Sequence, residues 1–352
     1  MERTVEEIVG DTPGHVYTYS VYRFRGRGDG APTAYLQAAL HGGELPGTVA
    51  LDRLMERLRQ AEGEGRILGD ITVVPTANPI ARGQQLFGEL QGRFHLGTRI
   101  NFNRDFPLLA RPDAALLPAP KLDATADQRL KRRLVELSMG HDIVLDLHCD
   151  DEGVPYLYVP KALWPAMEDC AAAMGVAAVV LWDGPGGGAF EEAAIHPYLQ
   201  MPKDEAGLAR RVVTTVELRG LRDVETAFAD ADAAGLYRLL AVRGVIADNG
   251  LAPVRAFRGV AAPIENIEMI GTPVAGAVLY DVLPGDRVEA GQRVATIVFA
   301  PGEPDGRLEL FAPQAGFVLT RRATRALGRG ADVLKLVGEA RSADARGGVL
   351  ED

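Results

Sequence analysis

The order of hydrophobic and polar positions predicts an alternation of strands and helices over the first two thirds of the chain. His15 to Phe24 alternates, with Val16, Thr18, Ser20, Tyr22 and Phe24 on one parity, which favours a strand. The polar residues before it, 1 to 14, read as an irregular lead-in ending in Asp11-Thr12-Pro13-Gly14. Thr33 to Leu40 is a compact, mostly apolar run, the pattern of a strand buried on both faces. Pro46 then opens an amphipathic helix to Gln60, with Leu51, Leu54, Met55 and Leu58 on one side and Arg53, Glu56, Arg57 and Arg59 between them. Ile71 to Pro75 is a strand that runs into an Asn78-Pro79 loop. Residues 78 to 125 lack a regular period, and a loop that long in a compact domain is usually functional. Asp127 to Met139 is helical, Asp142 to Leu147 a strand, Lys161 to Met174 a helix, Arg211 to Leu218 a β-rich run, and Asp223 to Val242 a helix. A glycine cluster, Gly184-Pro185-Gly186-Gly187-Gly188, reads as a flexible loop.

The pattern changes near residue 255. Short alternating segments at Ala277 to Asp281, Val294 to Phe299, Gly316 to Thr320 and Val333 to Val337 are separated by turns such as Pro284-Gly285-Asp286. The expectation is an α/β domain over 1–257, with a mainly parallel or mixed sheet and helices on both faces, a small all-β domain over 258–340, and a flexible polar tail over 341–352.

Composition narrows the partners. The 352 residues, 47% hydrophobic and 24% charged, suffice for two domains with a large core. A net charge of −10 argues against nucleic acid or an anionic membrane as the main partner, although a local arginine cluster would still accept a small anion. Two cysteines, Cys149 and Cys170, make no disulfide framework, and no apolar run approaches a membrane span. The first residues, Met1 to Glu7, carry no hydrophobic leader, so a cytoplasmic location is expected.

Candidate chemistry lies at strand ends. His41-Gly42-Gly43-Glu44 places an imidazole and a carboxylate three residues apart after a strand, with two glycines to let the chain turn, and the pair suits zinc. A glycine turn with a surface carboxylate is the structural alternative. His148 ends another strand, and Asp146, two residues before it, faces the same side and can orient its ring. Two histidines and one glutamate with an open fourth position is a hydrolytic zinc arrangement. Glu217 closes a β-rich run among apolar neighbours, where a carboxylate is costly without a partner or a task; it is a candidate general base, with an ion pair to Arg219 or Arg222 as the competing reading. Asn103-Arg104 combines an amide with a guanidinium fit to grip a carboxylate, unless the arginine is structural.

Taken in order, His41-Gly42-Gly43-Glu44, Asn78-Pro79, Asn103-Arg104, Asp146-Leu147-His148 and Glu217-Leu218-Arg219 resemble the zinc carboxypeptidase-like enzymes, and more closely their succinylglutamate desuccinylase/aspartoacylase branch, over about residues 30 to 340. The Gly92-Arg93-Phe94 segment before Asn101-Phe102-Asn103-Arg104 is similar to bacterial deacetylases of the ectoine-degradation type. The resemblance implies a zinc-carboxypeptidase-like sheet and one zinc ion per chain on His41, Glu44 and His148. It implies Glu217 as base and acid, and Asn103 and Arg104 on a substrate carboxylate. It also implies an arginine near the scissile carbonyl: Arg93 is favoured, and Arg99 is assigned to substrate binding. The implied activity removes an acyl group, acetyl, succinyl or similar, from a small N-acyl amino acid. A peptidase of carboxypeptidase type and a non-catalytic metal-binding protein are the alternatives. The β-rich segment resembles a lipoyl/biotinyl-type barrel, with Gly271-Thr272-Pro273 and Ala312-Pro313-Gln314-Ala315-Gly316, but Ala300 to Leu310 holds no lysine for a carrier arm. An appendage that shapes the site mouth or a homo-oligomer contact is expected instead.

Overall fold

The computed structural model describes residues 1–119, 121–184, 186–345 and 350. In chain order the first part runs β1 (Glu2–Val9), β2 (Val16–Phe24), β3 (Ala34–Ala38), α1 (Leu45–Gly63), β4 (Ile71–Val74), α2 (Pro79–Arg82), a small hairpin of β5 (Gln85–Leu86) and β6 (Glu89–Leu90), α3 (Ala126–Ser138) and β7 (Ile143–Asp150). It continues through β8 (Glu152–Gly153), β9 (Tyr156–Pro160), α4 (Glu168–Met174), β10 (Ala178–Trp182), α5 (Phe190–Leu199), α6 (Lys203–Ala206), β11 (Val212–Gly220), α7 (Thr226–Val242) and β12 (Val260–Pro263).

Nine of these strands form one mixed sheet in the order β1-β2-β4-β3-β7-β11-β9-β10-β12. The central trio β3, β7 and β11 is parallel. Its residues are almost all buried, because strands covered on both faces have no solvent side on which to alternate. Helix α1 buries Ala50, Leu51, Leu54, Met55, Leu58 and Ala61, a stripe at helical spacing, against β3 and β7, and packs on α7. Helices α3 and α5 pack together, and α5 lies on β7 and β11.

Several elements differ from the pattern-based expectation. Residues 2–9 are not a lead-in but the edge strand β1, paired antiparallel with β2 along its whole length. Its alternation is carried by charged and small apolar residues, Glu-Arg-Thr-Val-Glu-Glu-Ile-Val, so a hydrophobic count misses it. The helix expected over 161–174 is a short turn at 161–163 and then α4, divided around Pro165, which cannot donate to a continuous helix. Helix α7 starts at Thr226 rather than at 223. Strand β12, on the β-rich side of the expected division at 258, pairs with β10 and completes the large sheet.

The remaining strands are β13 (Ile267–Gly271), β14 (Gly276–Tyr280), β15 (Arg287–Val288), β16 (Arg293–Val298), β17 (Arg307–Phe311), β18 (Gly316–Arg321), β19 (Ala326–Leu327) and β20 (Asp332–Gly338). They form two small sheets, β13-β20-β18-β15 and β17-β16-β14-β19, around a second hydrophobic core that includes Val278, Val294, Ile297, Val318 and Leu336. Part of the expected tail, 346–349 and 351–352, lies outside the described residues, as does Pro185 of the glycine cluster. Ser342 and Leu350 are buried, and Ser342 donates to the Glu268 carboxylate. Among the described residues no helix is long and apolar enough to cross a membrane.

The β-rich part is tied to the end of β7. Strand β8 pairs with β18, Glu152 is bridged by Arg321 and Arg325, and Arg322 meets Asp151. The buried Lys335 ammonium on β20 pairs with Asp150, which also accepts from the Tyr156 hydroxyl at 2.8 Å. Removing one partner of a buried ion pair strands the other charge. Lys335→Met should therefore lower the urea-unfolding free energy by about 3 kcal/mol, and adding Asp150→Asn should restore at least half of it. A double variant no more stable than Lys335→Met alone would show that the pair does not hold the two parts together.

Candidate metal centre and cavity

A cavity of about 650 Å³ opens at the carboxyl ends of β3, β7 and β11, where open α/β sheets bind ligands. His41 and Glu44 lie in the turn between β3 and α1, and His148 lies in β7. The turn is possible because two loops cross with almost no space between them. The Gly42 amide donates to the Gly92 carbonyl at 2.9 Å. A Cβ on Gly92 would stand 2.5 Å from the Gly43 nitrogen, and one on Gly42 would stand 2.6 Å from the Ala81 carbonyl carbon. Glycine is required at both positions by this approach. The crossing also brings the Arg93 guanidinium to 3.8 Å from Glu44.

The three side chains are buried and their ligand atoms lie within 4.8 Å of one another. The two Glu44 oxygens each meet a histidine Nδ1 at 2.8 Å, Oε1 that of His41 and Oε2 that of His148. Glu44 is the N-cap residue of α1 but makes no side-chain cap bond, so its carboxylate is left for the imidazoles. On the far side of each ring, Nε2 faces an acceptor: Asn101 Oδ1 at 2.8 Å for His41 and Asp146 Oδ2 at 2.9 Å for His148. Asp146 is held in turn by Gln37 Nε2 at 3.0 Å, and Gln37 accepts from the Tyr35 hydroxyl at 2.7 Å. A neutral imidazole that donates from Nε2 presents a bare Nδ1 lone pair, which repels a carboxylate oxygen. Each ring therefore needs either a second proton or a cation between Nδ1 and Glu44. Two imidazoles and a carboxylate, each ring fixed from behind, fit a borderline-soft divalent metal such as zinc.

The electrostatics agree with a cluster built for positive charge. Burial works to raise the Glu44 pKa, but the two histidines hold it below the ordinary carboxylate range. Burial lowers that of His41 despite Glu44. For His148 burial is outweighed by Asp146 and Glu44, which raise it.

Other expected residues surround the cluster. Glu217 on β11 is in register with His148 across the sheet and lines the cavity. Its Oε2 is buried with no hydrogen-bond partner, and burial, helped by Glu44 and Asp150, pushes its pKa well up against the opposing pull of His148. No ion pair joins it to Arg219, whose guanidinium is paired with Asp232. Arg93, Asn103 and Arg104 all line the cavity. Asn103 Oδ1 accepts the Phe190 amide at 2.8 Å, fixing the start of α5, and Arg104 donates to the Asn103 carbonyl at 2.8 Å. Arg99 does not join them. A turn closed by His95 and Ile100 holds it at φ 63°, exposed and outside the cavity lining.

Asn101, Gln37 and Tyr35 were not anticipated as supports of the cluster. A signal existed for Gln37, a polar residue in the middle of a strand otherwise buried on both faces, and for Asn101, which repeats the Asn103 amide two residues earlier. Lys335 had no signal, because its approach to the cavity depends on how the β-rich part docks.

Comparison with known proteins shows the family and the fold. Residues 30–243 match the succinylglutamate desuccinylase/aspartoacylase catalytic domain, and the chain belongs to that family. It is 35% identical over 123 residues to an N-alpha-acetyl-L-2,4-diaminobutyric acid deacetylase of Halomonas elongata, a match spanning 35% of this chain and 29% of that one. A solved structure of a protein of the same family from Shewanella amazonensis SB2B superposes with a TM-score of 0.84 at 25% identity, covering 96% of this chain and 99% of the other. The product-bound ectoine utilization protein EutE of Ruegeria pomeroyi superposes with a TM-score of 0.70 at 20% identity, covering 94% of each chain, which is a likeness of fold.

If the rings are oriented from behind as described, loosening them weakens the metal site without touching a ligand. Asp146→Asn and Asn101→Ala should each lower zinc affinity by about 10- to 100-fold in a chelator competition titration. Affinities equal to that of the parent protein would show that these contacts do not set the ligand geometry.

Proposed function

We propose that the chain is a zinc-dependent amidohydrolase that removes an acyl group from an N-acylated amino acid, with one zinc ion held by His41, Glu44 and His148. The observation that carries this reading is Glu217. Its carboxylate lies on the strand beside the ligand His148 and one oxygen has no protein partner. Zinc bound to the cluster would supply Lewis acidity, lowering the pKa of a water and polarising the scissile carbonyl.

The chain's own groups do the rest. Glu217, its proton affinity raised by burial, takes a proton from the attacking water and returns it to the leaving amine nitrogen. Arg93, beside Glu44 at the cavity wall, donates to the carbonyl oxygen as negative charge builds there. Arg104, with Asn103 beside it, grips the substrate carboxylate and fixes which end of the molecule enters first. The family and the diaminobutyric acid deacetylase relative support the acyl amino acid class.

A small substrate is favoured over a peptide because the cavity is walled on one side by the β-rich part. Arg322, Asp332 and Lys335 line it together with Leu350. A lipoyl-like appendage therefore acts here as a wall that narrows the entrance, rather than as a carrier.

Glu217→Gln should reduce acetate or succinate release from N-acyl amino acids by at least about 100-fold while zinc binding, read by metal analysis, stays stoichiometric. Chelation should abolish turnover and added zinc should restore it. Full activity in either the metal-free protein or the Gln variant would overturn this mechanism.

A further inference from the structure

The cavity wall carries an apolar rim that the proposed mechanism does not use. Leu90, Phe94 and Leu96, from the segment that begins with β6, all line the cavity. Leu90 is half-buried, while Phe94 and Leu96 are 40% and 46% exposed. Exposed apolar side chains are ordinary when scattered singly. Three of them on one cavity wall, in one short segment, make a surface suited to an apolar ligand.

The rim is fixed in place by its main chain. Gln84 Nε2 donates to the Gln91 carbonyl at 2.6 Å and to the Phe94 carbonyl at 2.7 Å, and Gln84 Oε1 accepts the Leu96 amide at 2.9 Å. From the other direction, the His95 amide donates to the Ile100 carbonyl at 2.9 Å and the Phe102 amide to the Arg93 carbonyl at 3.0 Å. These bonds hold the backbone, so the three side chains form a preorganised surface. A ligand that settles on it need not pay to order the loop.

The position of Arg93 says which part of a substrate meets the rim. Arg93 lies between Leu90 and Phe94 in sequence and reaches to 3.8 Å from Glu44. In the deacylase reading the scissile carbonyl rests against Arg93 and the α-carboxylate against Arg104. The amino acid half then runs toward the start of α5, where Asn103 holds the Phe190 amide. The residues on either side of Arg93 are left to the acyl half. A charged acyl terminus would find no pairing group on Leu90, Phe94 or Leu96, whereas each methylene laid on them leaves water.

We propose that Leu90, Phe94 and Leu96 form a track for an unbranched apolar acyl chain, so that the protein prefers a medium-length fatty acyl group to acetyl or succinyl. The inference rests on the deacylase reading for the position of the carbonyl.

The test uses Nα-acetyl, Nα-butanoyl, Nα-hexanoyl, Nα-octanoyl and Nα-succinyl derivatives of one amino acid, the one released fastest from a panel of Nα-acetyl and Nα-octanoyl compounds. It adds calorimetric binding of butanoate and octanoate to the zinc-loaded protein. A partly open wall should raise kcat/KM by about twofold for each added methylene, so the octanoyl compound should exceed the butanoyl one by at least about tenfold. Leu96→Ser should cut that ratio at least about threefold while leaving the acetyl compound unchanged. Phe94→Ser should act in the same direction and serves if the first variant does not fold. A flat or falling series, a preference for succinyl, or a ratio unchanged in both variants overturns the track and leaves the deacylase reading standing. A flat series together with a parent dimer that Leu96→Ser dissociates, read by light scattering, overturns it in favour of a second copy on the rim. Octanoate bound at least tenfold more tightly than butanoate, with that margin lost in Leu96→Ser and no acyl compound hydrolysed, upholds the track and sinks the deacylase reading. Equal binding of the two acids with no hydrolysis overturns both.

Discussion

A carboxylate buried with two imidazoles on its two oxygens is the constraint from which the rest of the centre follows. Glu44 is 6% exposed, and an ion in that position must be compensated within its first contacts. His41 is delivered by the same turn, three residues earlier, and His148 by the neighbouring parallel strand. For the rings to face Glu44 through Nδ1, something must hold Nε2, and Asn101 and Asp146 do so from opposite sides. For the turn to sit this low, the 91–93 segment must cross it at backbone contact, which only glycine at 42 and 92 permits. The geometry of the cluster is therefore a consequence of sheet register and loop crossing as much as of its three side chains.

The same register explains the arrangement of the cavity floor. In the parallel trio, Gln37, Asp146 and Thr215 are neighbours across the sheet, and His148 and Glu217 are neighbours one row up. Residues two apart on each strand share a face. One row supports the histidine, and the row above it faces the cavity with His148 and Glu217. A shift of one residue in β11 would turn Glu217 into the opposite layer and bring an apolar side chain beside His148. These strands are buried on both faces, and among their polar residues Gln37, Asp146, His148 and Glu217 stand at or directly behind the cavity.

Much of this was legible before any coordinates. The strand-turn-helix around His41 and Glu44, the strand end at His148, the β-rich run ending in Glu217 and the all-β character after residue 267 follow from period, turn residues and the ends of apolar runs. What escaped had specific causes. Strand β1 has a charged alternation, because an edge strand takes its pairing from the backbone and exposes most of its side chains. Arg99 was assigned to substrate binding and Arg93 to the scissile carbonyl, and of the two only Arg93 is carried to the cavity, because Gly92 beside it crosses the His41–Glu44 turn. Lys335 is 187 residues beyond His148 and reaches the same cavity only through the pairing of β18 with β8 and β20, a long-range contact that no local pattern encodes.

Lys335 also bears on the charge of the cavity. The chain is acidic overall, but the cavity is not simply an anionic surface, since Arg93, Arg104, Arg322 and Lys335 line it together with Asp150, Asp151, Glu191 and Glu217. Where charges of both signs share a low-dielectric space, pairing within the protein removes most of them from play. Lys335 neutralises Asp150 and Arg322 neutralises Asp151, which leaves the β-rich wall close to electrically silent toward a ligand. Glu217, on the floor beside His148, keeps one buried oxygen without a hydrogen-bond partner, and in a low-dielectric space such an atom weighs more than the net charge of the whole chain.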